Sequence, residues 1–354
     1  MSLDTSDIPP FEAPFPLRDG RLMTLASTLP RRGSAAFASS GEVRLFDVGQ
    51  GSRVQAHCHW QRDRRGAPAA LVLHGLTGSS SSHYAVGVGA KLFDAGFSVV
   101  RLNARNCGDT EALSTTIYHA ALYSDPLRVL QELVRDPGCE RLYVVGFSMG
   151  ANLALLMAGE EPDAVPAQVR GLAAVSPPLD LAECSRRCEA DRFNRAVTRR
   201  FLGEFQRTFR RREECYPGQI DLDRLDPRMS LWDFDSTFTA PLAGFDSVDD
   251  YYAAGSALPR LAAIQIPTLL LHAADDPLIG SEPFRAARFE RLPLFRSLLC
   301  PAGGHVAFIG RAPARGPYGP DRDRRWAENR VVDHFRQLEA RTSPSDPTSL
   351  DSSS

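Results

Sequence analysis

The amino-acid sequence predicts an α/β protein: a mostly parallel central sheet with helices on both faces and a helical lid insertion. Three observations carry that expectation. Short apolar runs such as 69–74, 142–147 and 169–175 alternate with helix-patterned segments. The runs are apolar at nearly every position, as strands buried on both faces are. The alternation breaks at Pro177-Pro178 and resumes at Thr268, and the residues between, about 180–262, read as mostly helical.

Residues 1–40 are rich in Pro, Ser and Arg and read as an N-terminal arm over the body, with Phe11, Phe15 and Leu17 as anchors. Two strands, 43–48 and 53–59, flank a Gly49-Gln50-Gly51 turn, a hairpin signal. A strand at 69–74 precedes a helix over 83–94, which Gly96 ends. Then come a strand at 97–102, a helix at 125–135, a strand at 142–147, a helix at 151–158 and a strand at 169–175. In the insert, the arginine-dense run 186–212 is interleaved with acids and reads as a solvated helical face. Beyond it the pattern gives a strand at 268–272, a helix at 283–290, a strand at 295–299 and a last helix at 321–338. The polar tail 342–354 is expected to be disordered. The division is therefore an arm at 1–40, a single domain at 41–341 and a tail at 342–354, without internal repeats.

Composition narrows the function. The chain has 354 residues, 43% of them apolar, and a net charge of -2. That balance gives no electrostatic case for nucleic acid or an anionic membrane as partner. Lys91 is the only lysine. Seven cysteines without C-x-x-C spacing point to reduced thiols and a cytoplasmic protein. The first ten residues lack a signal-peptide pattern, and no apolar run approaches the roughly 20 residues that span a bilayer. His57 and His59 flank Cys58 on a strand and read as packed residues rather than a metal pair. Cys184 and Cys188 share a helical face but gather no further ligands. The Asp221, Asp223, Asp233 and Asp235 text lacks calcium-loop spacing, and no phosphate-binding glycine loop appears. No cofactor or metal is expected.

The chemistry concentrates at Gly146-Phe147-Ser148-Met149-Gly150, which stands between a strand and a helix. In that context G-x-S-x-G is a nucleophile elbow. The turn is tight enough to demand small residues two before and two after the serine. The pentapeptide also arises by chance, so its partners must carry the case. A serine hydroxyl needs a base, and the imidazole needs a carboxylate to fix its tautomer. His305 follows the strand at 295–299 in Gly303-Gly304-His305. Asp276 follows the strand at 268–272 and precedes Pro277, Leu278 and Ile279. Asp275 competes with it for the acid role. His119 precedes the serine and His272 lies inside a strand, which makes both weaker bases. For the oxyanion, the Met149 amide supplies one donor and the Leu76 amide, in His74-Gly75-Leu76-Thr77-Gly78, the second.

These motifs resemble the YheT-like branch of the α/β-hydrolases, of serine carboxylesterase type, over about residues 12–340. The resemblance rests on His74–Gly78 with Tyr84, Asn103–Gly108 followed by Tyr118-His119, and Gly146–Asn152. It also rests on the insert text Phe234-Asp235, Pro241, Gly244-Phe245 and Tyr251-Tyr252, and on Asp275-Asp276-Pro277 and Gly303-Gly304-His305. It implies Ser148 as nucleophile, Asp276 as acid, His305 as base, and small-molecule esters of short- to medium-chain acyl groups as substrates. Two positions depart from the pattern. Asn106 follows Arg105 where the family usually has glycine, and Ala151 stands where glycine is common. Acyl transfer to an alcohol, thioester cleavage and a silent binding module remain as alternatives. The sequence leaves oligomeric state open.

Overall fold

The computed structural model describes residues 5–28 and 35–342. The expected disordered tail beyond 342 and parts of the arm lie outside the described residues. In the arm, α1 (Gly20–Ser27) starts at Asp19, whose carboxylate accepts from the Arg21 and Leu22 amides. A short α2 (Ala35–Ser39) follows. Phe11 anchors the arm, packing edge-on against Phe308 and Trp326 at 5.6 and 5.7 Å. Phe15, also expected to anchor it, is 87% exposed.

Eight strands form one sheet in the order β1-β2-β4-β3-β5-β6-β7-β8. The hairpin β1 (Glu42–Gly49) and β2 (Ser52–His59) makes the antiparallel edge. From β4 (Ser98–Leu102) through β3 (Ala69–Leu73), β5 (Leu142–Phe147), β6 (Val169–Val175) and β7 (Thr268–Ala273) to β8 (Phe295–Cys300), every pairing is parallel. Apart from Arg170 in β6 and three residues of β8, these parallel strands are buried at every position. Helices on both faces account for that. α3 (His83–Asp94) and α12 (Trp326–Thr342) cover one face with Val88, Leu92, Val331 and Phe335. α4 (Ser124–Leu133) and α5 (Met149–Glu160) cover the other with Leu127, Leu130, Leu155 and Leu156. The chain runs from β3 to β4 on one side and then returns to β5 on the other. The order therefore reverses at β3, and the crevice at the carboxyl ends there is where such sheets take ligands.

Two helices depart from their expected bounds by four or more residues at one end or both. The one expected at 283–290 is α11 (Glu282–Ala286), and Arg288 in the left-handed region, φ 48°, ends it. The last helix begins at Trp326 because the residues before it are held as a loop. The Asp321 amide bonds to Ala314 and the Arg325 amide to the Asp323 carboxylate.

The insert contains α6 (Leu181–Cys188), α7 (Arg192–Cys215), α8 (Leu231–Phe234), a π turn at Asp235–Thr239, α9 (Ala240–Leu242) and α10 (Val248–Gly255). Asp180, Asp191, Ser230 and Ser247 cap four of these helices by side-chain acceptance. Between them Phe205, Phe209, Phe234 and Phe238 form a separate aromatic cluster. Most arginines of α7 face solvent, as their interleaved charges predict. Arg212 does not. It is buried, and its guanidinium bonds to the Ser114 and Thr116 carbonyls at 2.7 and 3.2 Å. Asn152 of α5 ties down the far end of the insert through Gly255 and Ala257. Two short strands, β9 (Arg315–Gly316) and β10 (Gly319–Pro320), pair apart from the main sheet.

Candidate active site

Ser148 lies between β5 and α5 with φ 53°, the strained conformation expected of an elbow. Such a non-glycine residue costs on the order of 1–3 kcal/mol and persists only where neighbours enforce it. Here the Ser148 amide bonds to the Val175 carbonyl at 2.8 Å. The flanking glycines are required by space. A Cβ at Gly146 would overlap the Gly150 carbonyl, and one at Gly150 would overlap the Leu73 and His74 carbonyls.

The turns after β7 and β8 bring two further side chains to this serine. His305 Nε2 lies 2.9 Å from Ser148 Oγ, and its Nδ1 lies 2.8 Å from Asp276 Oδ2. Asp276 is buried, and its other oxygen accepts the Leu278 and Ile279 amides at 2.9 and 3.0 Å. Burial would raise its pKa, but the charge and hydrogen bond of His305, with help from His272 and the Ile279 amide, hold it below the usual carboxylate range. An ionised Asp276 accepts from Nδ1–H, which leaves Nε2 free to accept from the serine. Asp275, the competing acid, turns elsewhere: its Oδ1 accepts the Gly304 amide at 2.9 Å. Gly304, Val306 and Phe308 all have positive φ, so the histidine loop is itself strained.

The loop after β3 lies beside Ser148. His74 fixes it. Its Nε2 accepts the Ala104 amide at 3.0 Å, so Nδ1 carries the proton and donates to the Gly75 carbonyl at 2.8 Å. Burial lowers its pKa to about 4, which keeps the ring neutral in that tautomer. The Gly75 amide is committed to Tyr84 Oη at 2.8 Å. Gly75 also passes close to Ser148, since a Cβ on it would meet Ser148 Cβ at 3.0 Å. The next amide, Leu76, is therefore the loop's candidate oxyanion donor. Met149 is the first residue of α5, where helical amides have no intrahelical acceptor.

A cavity of about 420 Å³ opens over these groups. Its sheet side carries Leu76, Ser148, Met149 and His305, and its insert side carries Phe201, Phe205, Phe209 and Phe234. Asp235, on the π turn, also lines it. Its carboxylate accepts from Thr239 at 2.7 Å and Tyr252 at 2.9 Å, and burial raises its pKa to about 6. His119 lines the cavity edge-on to Phe245 and Tyr251, and burial lowers its pKa to about 4. His272 stacks on Phe284 inside β7. Neither rival histidine touches Ser148 Oγ. His59 stacks on Phe37 at 3.9 Å and bonds to Ser40, as a packed residue does. Cys184 and Cys188 line the cavity, and all seven cysteines are free thiols. Among the described residues no group of three or more His, Cys, Asp or Glu is arranged to hold a metal, and no helix is long and apolar enough to cross a membrane.

Asn106 adopts φ 59°. That is the left-handed region where glycine is the default and asparagine the common substitute. The departure at this position thus keeps the loop's backbone. Sequence reasoning missed Thr24, from α1, which accepts the His305 amide at 2.8 Å and lines the cavity. No local signal marks it, because its partner lies 281 residues away.

The strand order and the elbow define a class, and the chain belongs to it: residues 68–312 match the α/β hydrolase fold. Within that class it is a YheT-like member. It is 32% identical to YheT of Escherichia coli, a protein named as an esterase, with 75% of this chain and 76% of that one covered. It is 26% identical to the medium-chain fatty acid ethyl ester synthase/esterase 2 of Saccharomyces cerevisiae, covering 77% of this chain and 62% of that one. Among solved structures, the esterase Pf2001 of Pyrococcus furiosus superposes with a TM-score of 0.57 at 16% identity, covering 93% of this chain and 98% of that one. Est1E of Butyrivibrio proteoclasticus with bound ferulic acid gives 0.53 at 15%, covering 84% and 99%. These two share the fold.

Proposed function

We propose that the protein is a serine esterase that cleaves short- to medium-chain acyl esters through an acyl-enzyme on Ser148. The observation that carries this reading is the continuous chain of contacts from Ser148 Oγ to His305 to Asp276, at 2.9 and 2.8 Å. Ser148 Oγ attacks the ester carbonyl while His305 Nε2 takes its proton. The Leu76 and Met149 amides hold the oxyanion. Asp276 stays ionised and stabilises the imidazolium. As the tetrahedral adduct collapses, the C–O bond to the alcohol breaks and His305 returns the proton to the leaving oxygen. Water then repeats the sequence: His305 takes its proton, the hydroxide adds to the acyl carbon, and Ser148 leaves with the proton. The relatives named as esterases support the substrate class.

The acyl chain has an apolar place to go, against Phe205, Phe209 and Phe234. That wall favours a second reading as well. A cavity this apolar disfavours water, so an alcohol can replace it as acyl acceptor, in line with the synthase name of the yeast relative. One experiment tests both. Wild type and Ser148→Ala are assayed on p-nitrophenyl esters of increasing chain length, with and without saturating ethanol. Turnover by wild type alone supports the esterase. Ethyl ester among the products supports transfer. Equal turnover by both proteins excludes Ser148 as nucleophile.

A further inference from the structure

The helix α1 lies outside the residues that match the family fold, yet it is built into the candidate site. Thr24 stands one turn inside it. Its hydroxyl donates to the Gly20 carbonyl at 2.6 Å and accepts the His305 amide at 2.8 Å. One hydroxyl thereby joins the helix to the backbone of the base. At the helix start, the Gly20 backbone presses on the loop of the acid: a Cβ there would overlap the Asp275 carbonyl. Gly304 is fitted against the same turn. A Cβ on it would meet the Gly20 carbonyl at 2.7 Å and Thr24 Oγ1 at 2.9 Å. Asp275 closes the bracket by accepting the Gly304 amide at 2.9 Å. The helix therefore spans the acid loop and the base loop at once. Thr24 and Leu25 of the helix, and Thr28 just past its end, line the cavity with Ser148. Its outer side reaches the insert, where Arg21 pairs with Asp191, the cap of α7, at 2.5 Å.

His305 needs such a support. The loop that carries it is not part of a strand or helix, and Val306, a β-branched residue, stands beside it at φ 60°. The imidazole must address Ser148 with one nitrogen and Asp276 with the other, and a misplacement of about 1 Å is enough to lower a rate on the order of 100-fold. Without an acceptor on Thr24, the His305 amide loses its partner and the loop is free to relax.

We propose that α1 is a working part of the active site and that Thr24 is a positioning residue, fixing the His305 backbone so that Nε2 stays on Ser148. The inference rests on the serine-esterase reading of the site. The test compares wild type, Thr24→Val, Thr24→Ala and Thr24→Ser by two measures. One is the rate at which a fluorophosphonate labels Ser148. The other is steady-state turnover of a p-nitrophenyl ester, each per folded site, with melting temperatures recorded alongside. Loss of the hydroxyl in Val and Ala lowers kcat and the labelling rate by about tenfold or more, with KM changed by less than about twofold. Serine, which restores the hydroxyl, brings both rates back to within about threefold of wild type. A purely structural role would lower melting temperature and yield while leaving kcat and the labelling rate per folded site at the wild-type level. If Val does not fold, the smaller Ala and Ser carry the comparison. Wild-type labelling rates in Val or Ala overturn the proposal, as does a change confined to KM. Absence of labelling in wild type overturns the esterase reading and this inference together, whereas normal labelling in a Thr24→Ala variant overturns only the inference.

Discussion

Two buried aspartates, Asp276 behind the sheet side of the cavity and Asp235 on its insert side, are shifted in opposite directions. Asp276 has His305 against one oxygen and two backbone amides on the other, and it is held ionised. Asp235 meets the hydroxyls of Thr239 and Tyr252 and, among the described residues, no cation, and burial raises its pKa to about 6. The contrast follows from how each wall is made. The sheet side places side chains in turns fixed by strand register, so a charge there can be aimed at a partner. The insert side is a stack of helices whose contacts are mainly aromatic, and a carboxyl group among them is favoured when neutral. One wall is built for chemistry and the other for shape.

Removing the proposed nucleophile is the largest break on the sheet side. Ser148→Ala is expected to lower kcat by at least about 10⁴-fold, read as ester turnover. Asp276→Asn comes next, at about 10³–10⁴-fold, because the amide turns an N–H towards Nδ1 and imposes the wrong tautomer on His305. Its proton linkage has a defined sign. A pKa held below 3.8 gives stability that is present above that value and lost as pH falls through the lowered one. Asp276→Asn should therefore flatten part of the acid limb of the unfolding curve.

Asp235 has the reverse sign. The folded protein keeps its proton up to about pH 6, the unfolded chain only to the ordinary carboxylate value of 3.8. Stability then falls as pH rises from about 4 to 6 and is level above that, by up to about 3 kcal/mol. Asp235→Asn should remove this slope, measured as the difference between urea melts of the two proteins across that range. Phe205→Trp acts on shape alone. Phe205 stacks on Phe234 at 5.2 Å and lines the cavity, so a larger ring should lower kcat/KM for longer acyl chains by about tenfold and leave the acetyl ester nearly unchanged. The smallest effect is expected at Asn106→Gly, which keeps φ 59° and should alter stability by less than about 1 kcal/mol.

Much of the site was legible before the fold was. Ser148 announced itself through the glycines its turn requires, and His305 through the glycines and the strand before it. Local spacing favours Asp276 over Asp275; in the structure Asp275 accepts the Gly304 amide and Asp276 meets the His305 imidazole. Phe15 was misread as an anchor because apolar character does not say which way a residue faces. Arg212 was read with its charged neighbours as solvated, since helical periodicity cannot reveal carbonyls of residues 114–116 waiting to accept from it.

The sequence by itself determined the strands of the main sheet, the elbow and the order in which Ser148, Asp276 and His305 follow along the chain. Those depend on short-range chemistry: apolar runs, tight turns and capping residues a few positions apart. Only the tertiary structure decided that Thr24 accepts the His305 amide, that Asp235 meets no cation among the described residues and that four phenylalanines line one cavity with Ser148. Each of these is a contact between segments distant along the chain. Such contacts leave no periodic trace, because the partner is chosen by how packed elements meet rather than by the residues beside it.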